Sequence, residues 1–136
     1  MSWLLDTNIV SELRKGERAN PGVREWFAAV AEESLFTSVL VVGELRRGIE
    51  SIRRRDAASA LALEQWLSGL TDGFAERILP VDRDVAEQWG RLNVPDPVPT
   101  VDGLLAATAL VHGLTLVTHN SRDVARTGVP LLDPTA

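Results

Sequence analysis

Four acidic residues of this chain stand away from the solvated helix faces where carboxylates are commonest. Asp6 ends the apolar run 3–5 in MSWLLDTN, and Glu44 interrupts the apolar face of SVLVVGELRRGIESI. Asp102 falls in the first helical turn after the proline-rich VPDPVP, and Asp123 follows the apolar LTLVT and its polar exit, Thr118, His119 and Asn120. In a parallel sheet the strand-to-helix exits share one edge, so Asp6, Asp102 and Asp123 are expected to converge there. Carboxylates gathered in a small pocket either take up protons or demand a counter-cation. With no cysteine in the chain and only two histidines, the donors are oxygens, which suit Mg²⁺ or Mn²⁺ and not zinc. One such ion, or a pair about 4 Å apart, would lower the pKa of a bound water and clamp the oxygens of a phosphodiester, the chemistry of nucleic-acid hydrolysis. Thr118 and Asn120 offer a hydroxyl and an amide at the same edge, suited to orienting a carboxylate or a water.

Each acid also has a plainer reading. Asp6, Asp102 and Asp123 could do no more than accept backbone N–H bonds or complement the dipole at a helix N-terminus, worth up to about 1 to 2 kcal/mol. Glu44 could pair with Arg46 or Arg47 on the helix surface. Four capping accidents, however, do not require three of the positions to share one sheet edge.

The elements that must position these acids follow from pattern. Residues 3–5 read as a strand, 7–14 as a short helix closed by Lys15-Gly16, and Asn20-Pro21 as the start of a helix carrying Val23, Trp26, Phe27 and Val30. A strand at 35–37 leads into a helix with Val41, Val42, Leu45, Ile49 and Ile52 on one face, and 56–70 reads as its hairpin partner. Residues 77–81 read as a strand and 84–92 as a helix with Val85, Ala86 and Trp89 inward. After the prolines of 94–99, Thr100 is expected to cap a helix that runs to His112 and ends at Gly113; residues 114–118 read as a buried strand and 131–133 as an edge strand. Strands alternating with helices predict a three-layer α/β/α domain with a mostly parallel central sheet. His112 reads as a helix C-terminal residue, and Trp3, Trp26, Trp66 and Trp89 as core or interface residues.

A chain of 136 residues fits one domain, 1–136, able to fold without staples. The absence of cysteine, of a signal peptide and of any window long enough to span a membrane leads to the expectation of a soluble cytoplasmic protein with no membrane partner. A net charge of −5 argues against coating nucleic acid through bulk electrostatics but not against cutting it. Arginines 46, 47, 53, 54 and 55 form a basic cluster that reads either as a phosphate-holding surface or as a solvated helix face.

The ordered set LLDTNIVSELRKG, TSVLVVGELRRGIE, RILPVDRDVAEQWGRL, VDGLLAATALVHGLTLVTHNSRDV and GVPLLDP resembles the PIN-domain family, and within it the VapC and FitB-like toxins of bacterial toxin–antitoxin pairs. The resemblance implies a Mg²⁺- or Mn²⁺-dependent ribonuclease whose acidic quartet falls on Asp6, Glu44, Asp102 and Asp123. Asp6 and Asp102 would then hold the ion most directly, Asp123 and Glu44 would complete the site, and Asn8, Thr118 and Asn120 would support it. It also implies a homodimer, an RNA substrate, and a cognate antitoxin that wraps the toxin in a larger assembly and offers an arginine to the acids. His119 departs from the arginine common at its position, Val124 from a frequent aromatic, and the end DPTA from a bulkier close.

Two rivals are weaker. An aspartyl-phosphate enzyme would want a second acid where Asn8 stands and a late lysine, whereas the only lysine is Lys15. A catalytically weak domain kept as a partner-binding module would not need the intact quartet.

Overall fold

The elements follow the apolar patterning closely. The computed structural model describes residues 1–135. In chain order it runs β1 (Trp3–Leu5), α1 (Thr7–Leu13), α2 (Pro21–Ala29), β2 (Leu35–Ser38), α3 (Val39–Arg53), α4 (Ala57–Phe74), β3 (Ile78–Leu79), α5 (Arg83–Leu92), α6 (Thr100–His112), β4 (Thr115–Val117), α7 (Ser121–Val124) and β5 (Leu131–Leu132). The five strands form one sheet in the order β3-β2-β1-β4-β5, and all four pairings are parallel. Parallel crossovers are right-handed. The connections running outward from β1 to β2 and β3 therefore put α1 to α4 on one face, and those returning to β4 and β5 put α5 to α7 on the other. Helices cover the sheet on both sides, in the predicted three layers.

Sequence chemistry explains the boundaries. Gly113 takes a left-handed conformation (φ 68°) that ends α6. Asn20 caps α2 through its side-chain oxygen, with Pro21 at the first helical position. Ser38 closes β2 and caps α3 by accepting from Leu40 N at 3.0 Å. The core is the sandwich of Leu4, Leu5, Leu35, Leu116 and Val117 from the strands with Ile9, Val10, Val41, Leu105 and Val124 from the helices. A second cluster, Ile49, Ala60 and Leu67, sits inside the α3–α4 hairpin. Trp3 and Trp26 pack edge to face with ring centroids 5.4 Å apart. Among the described residues no helix is long and apolar enough to cross a membrane.

Several expectations need correction. Thr100 does not cap α6: Pro99 holds the cap position without a side-chain bond, and Gly103 N donates to Pro99 O at 2.8 Å. Asp56 caps α4 from just outside it, α4 continues to Phe74, and α5 begins at Arg83, one residue before the expected start, with Asp82 as its cap. The expected strand 77–81 shrinks to Ile78–Leu79, because Arg77 closes a short 3₁₀ turn and Pro80 has no N–H to continue the ladder. Ala86 and Phe27 are exposed, not inward. Val124 fills its core position as a buried residue despite its small size. Of the closing DPTA, Pro134 is buried, with its carbonyl against Gly22 where a Cβ would meet it at 2.1 Å; Ala136 lies outside the described residues.

Two of the five clustered arginines are structural. Arg46 and Arg53 each bond both Glu50 and Glu64, with Nη to Glu64 Oε1 distances of 2.7 and 2.6 Å, and so tie α3 to α4 across their exposed edge. Arg47, Arg54 and Arg55 lie outside that network.

Candidate active site

The site forms where the sheet changes direction. Connections leave β1 and β4 on opposite faces, which opens a crevice between the carboxyl ends of these neighbouring strands, the position at which open α/β sheets bind ligands. Asp6 leaves β1 into this crevice and Thr118 leaves β4 beside it. The two are directly bonded, with the Thr118 hydroxyl donating to Asp6 Oδ2 at 2.8 Å.

Asp6 is both of the things a strand-ending aspartate could be. It occupies the cap position of α1, its Oδ1 accepting from Thr7 N at 2.6 Å. Its Oδ2 accepts from Thr118 and, at 3.3 Å, from Asn8 Nδ2. All three donors are neutral, and the residue is only 6% exposed. Burial pushes its carboxyl above the usual aspartate range, against the pull of these hydrogen bonds, and the Glu44 charge adds to the push.

Asn8 fastens the β1 exit to the β4 exit. Its Nδ2 reaches Asp6 and the Thr118 hydroxyl, while its Oδ1 accepts from His119 N at 3.0 Å. Thr118, fully buried, also accepts from Asn120 N at 2.9 Å, so Asn120 contributes its backbone to this network and its side chain to the pocket wall.

Glu44 approaches from α3. Its Oε1 accepts from the Thr7 hydroxyl at 2.5 Å, and Arg47 Nη2 lies 3.9 Å from its Oε2. Thr7 is the residue that reading the sequence misses. It follows Asp6 directly, yet nothing in the sequence links it to an acid 37 positions away.

Asp102 arrives from the opposite face. It stands in the first turn of α6 as expected, but α6 follows α5 and the proline connection, so no strand delivers it. Its carboxyl accepts no hydrogen bond among the described residues. Burial raises its proton affinity most, followed by the charges of Asp6, Asp123 and Glu44. Asp6, Thr7, Asn8, Glu44, Arg47, Asp102 and Asn120 line one open pocket of about 290 Å³. Asp123 is exposed on α7 and does not line it, though its charge acts on Asp102.

His119 points elsewhere. Its Nδ1 lies 2.8 Å from Thr135 Oγ1 and 3.6 Å from Asp133 Oδ2, in a separate cavity with Glu12 and Asn20. His119 does not line the acid pocket, and Arg47 does.

The residues fit a hard divalent cation. The pocket offers carboxylate, hydroxyl and amide oxygens and no thiolate or imidazole. Among the described residues no three acids, cysteines or histidines close into a ready-made cage.

A PIN-domain family model matches residues 3–129. The plasmid stability protein StbB of Pseudomonas syringae pv. tomato is 32% identical over 138 residues, and the VapC ribonuclease Y4jK of Sinorhizobium fredii 30% identical over 140, each match covering 96% of both chains. The crystal structure of FitAcB from Neisseria gonorrhoeae superposes with a TM-score of 0.89 at 29% identity, over 97% of both chains. The acid pocket thus lies in a fold and a sequence shared along nearly the whole chain, and the protein belongs to the PIN-domain family, in the group of the VapC and FitB-like toxins.

Proposed function

We propose that this protein is a divalent-cation-dependent endoribonuclease, the toxin of a type II toxin–antitoxin pair, with residues 1–136 acting as one domain. The observation that carries the reading is the meeting of Asp6, Glu44 and Asp102 in one open pocket where Asp6 has only neutral partners. A relative named as a VapC ribonuclease supports the substrate class, and a solved structure described as a toxin–antitoxin complex supports the antitoxin partner.

Asp6 and Asp102 would hold Mg²⁺ or Mn²⁺ directly, and Asp123, outside the pocket lining, would complete the site through the waters of the ion. Bound there, the cation supplies the positive charge that lowers the pKa of water and offsets the charge building on the phosphodiester. Thr118 and Asn8 hold Asp6 with its carboxylate fixed at the strand end. Thr7 occupies Oε1 of Glu44, which leaves Oε2, touched only loosely by Arg47, to take the proton of the attacking water. The working protein is a homodimer in the cytoplasm, silenced within a larger assembly by an antitoxin that covers the acids.

Purified protein incubated with a mixed RNA pool in Mn²⁺ or Mg²⁺ should cut it, and both EDTA and Asp6→Ala should abolish the cutting. Intact, metal-binding protein that never cleaves RNA would sink the nuclease reading and favour a partner-binding role.

A further inference from the structure

Resting on the nuclease reading, we infer that Arg47 is the substrate-positioning cation of the acid pocket, binding an RNA phosphate beside the scissile bond, while the arginines around it hold the fold. Arg47 stands one helical turn beyond Glu44 and, among the described residues, is the only cationic side chain lining the pocket. A polyanion cannot approach three carboxylates unaided, and even with a cation in place the flanking phosphates need a partner of their own.

The geometry leaves Arg47 available. Its side chain is 81% exposed, and its one ionic contact, 3.9 Å to Glu44 Oε2, is longer than a hydrogen bond. It makes no hydrogen bond to any described residue, so its five donors stay in water. An exposed contact of this length contributes little, so a phosphate can take the guanidinium from Glu44 at small cost and gain a two-pronged bond. Arg46 and Arg53 are committed to Glu50 and Glu64 instead, with bonds as short as 2.6 Å. Adjacent arginines in the same dipeptide thus have different jobs, because successive residues on a helix face different directions.

The test compares wild type, Arg47→Ala, Arg47→Lys and Arg46→Ala on a labelled single-stranded RNA. Steady-state cleavage is read in Mn²⁺, and binding by fluorescence anisotropy with Ca²⁺ in place of Mn²⁺. Arg47→Ala should raise KM and Kd about tenfold, with a smaller fall in kcat, as expected for one lost charge-assisted phosphate contact. The slope of log Kd against log salt should flatten by about one for that variant. Arg47→Lys should restore the slope but only part of the affinity, since the charge returns without the fork. Calorimetric Mn²⁺ affinity should not fall in Arg47→Ala, which separates substrate binding from damage to the acids. Arg46→Ala should keep the wild-type KM and lose thermal stability. Wild-type KM and salt slope in Arg47→Ala, or an equal loss in Arg46→Ala, overturns the assignment while leaving the nuclease reading intact. A wild-type protein that neither binds nor cuts RNA overturns both.

Discussion

The carboxylate of Asp6 caps α1 and at the same time lies buried at the floor of the acid pocket, and these two roles act on its charge in opposite directions. Hydrogen bonds from Thr7, Thr118 and Asn8 favour the anion, but burial outweighs them, and both Asp6 and Asp102 titrate above the ordinary aspartate value. The native state therefore keeps its protons to higher pH than the unfolded chain does. Stability of the metal-free protein must fall as pH rises from the unfolded aspartate value through the raised native values, and the full penalty is present at neutral pH. Asp102→Asn, which removes an ionised group that accepts no hydrogen bond, should accordingly raise the melting temperature of the metal-free protein at pH 7. Added Mn²⁺ should raise the wild-type melting temperature and have less effect on that variant. The same shifts make Mn²⁺ affinity decline on acidification at a pH above that of ordinary carboxylates, measurable by calorimetry across a pH series. Thr7 gives a sharper test of Glu44. Thr7→Val keeps the shape but removes the donor at 2.5 Å, and should lower kcat about tenfold with little change in KM, whereas Thr7→Ser should retain the rate.

At the scale of elements, α6 is held by a close approach that only a residue without a side chain permits. A Cβ on Gly103 would meet Val98 Cγ2 at 2.5 Å and the Trp89 ring at 3.3 Å. Gly103 stands next to Asp102, so the contact that seats α6 against α5 also sets where the acid begins its reach. The Trp89 indole N–H is buried there without a partner among the described residues. Gly103→Ala should cost about 1 to 3 kcal/mol, read by denaturant titration, and should weaken Mn²⁺ binding with it. On the other face, the Arg46, Arg53, Glu50 and Glu64 network joins α3 to α4 in the open. Its loss in Glu64→Gln should lower the melting temperature slightly, by less as salt is added.

Much of this is legible in the sequence, for reasons that differ by element. The strands show as short apolar runs and α3 as a 3.6-residue stripe, because burial on one face leaves a periodic trace. Asp6, Asp102 and Asp123 show because acids at helix starts stand out from solvated faces. The seating of α6 does not show, since Thr100 looks like a cap and Pro99 does not. The Thr7 to Glu44 bond and the split between Arg46 and Arg47 are likewise silent, because only the packing of α1 on α3 and of α3 on α4 decides them.

For the whole molecule, the order β3-β2-β1-β4-β5 places the first strand at the centre and the last two elements of the sheet on its far side. Asp6 N donates to Val117 O at 3.0 Å, and Asp6 Oδ2 takes its shortest bond from Thr118, 112 residues later. Glu44 comes from one face and Asp102 from the other, so no fragment that lacks β4 contains the pocket. During synthesis the chain emerges in order, and Asp6 waits without Thr118, Asn120 or the β4 strand beside it until residues 115–120 have left the ribosome. A nascent chain stalled before that point carries its first acid but not the assembled centre. Under the proposed function, a chain that ends before β4 should therefore cut no RNA, which cleavage assays on a truncated chain would check.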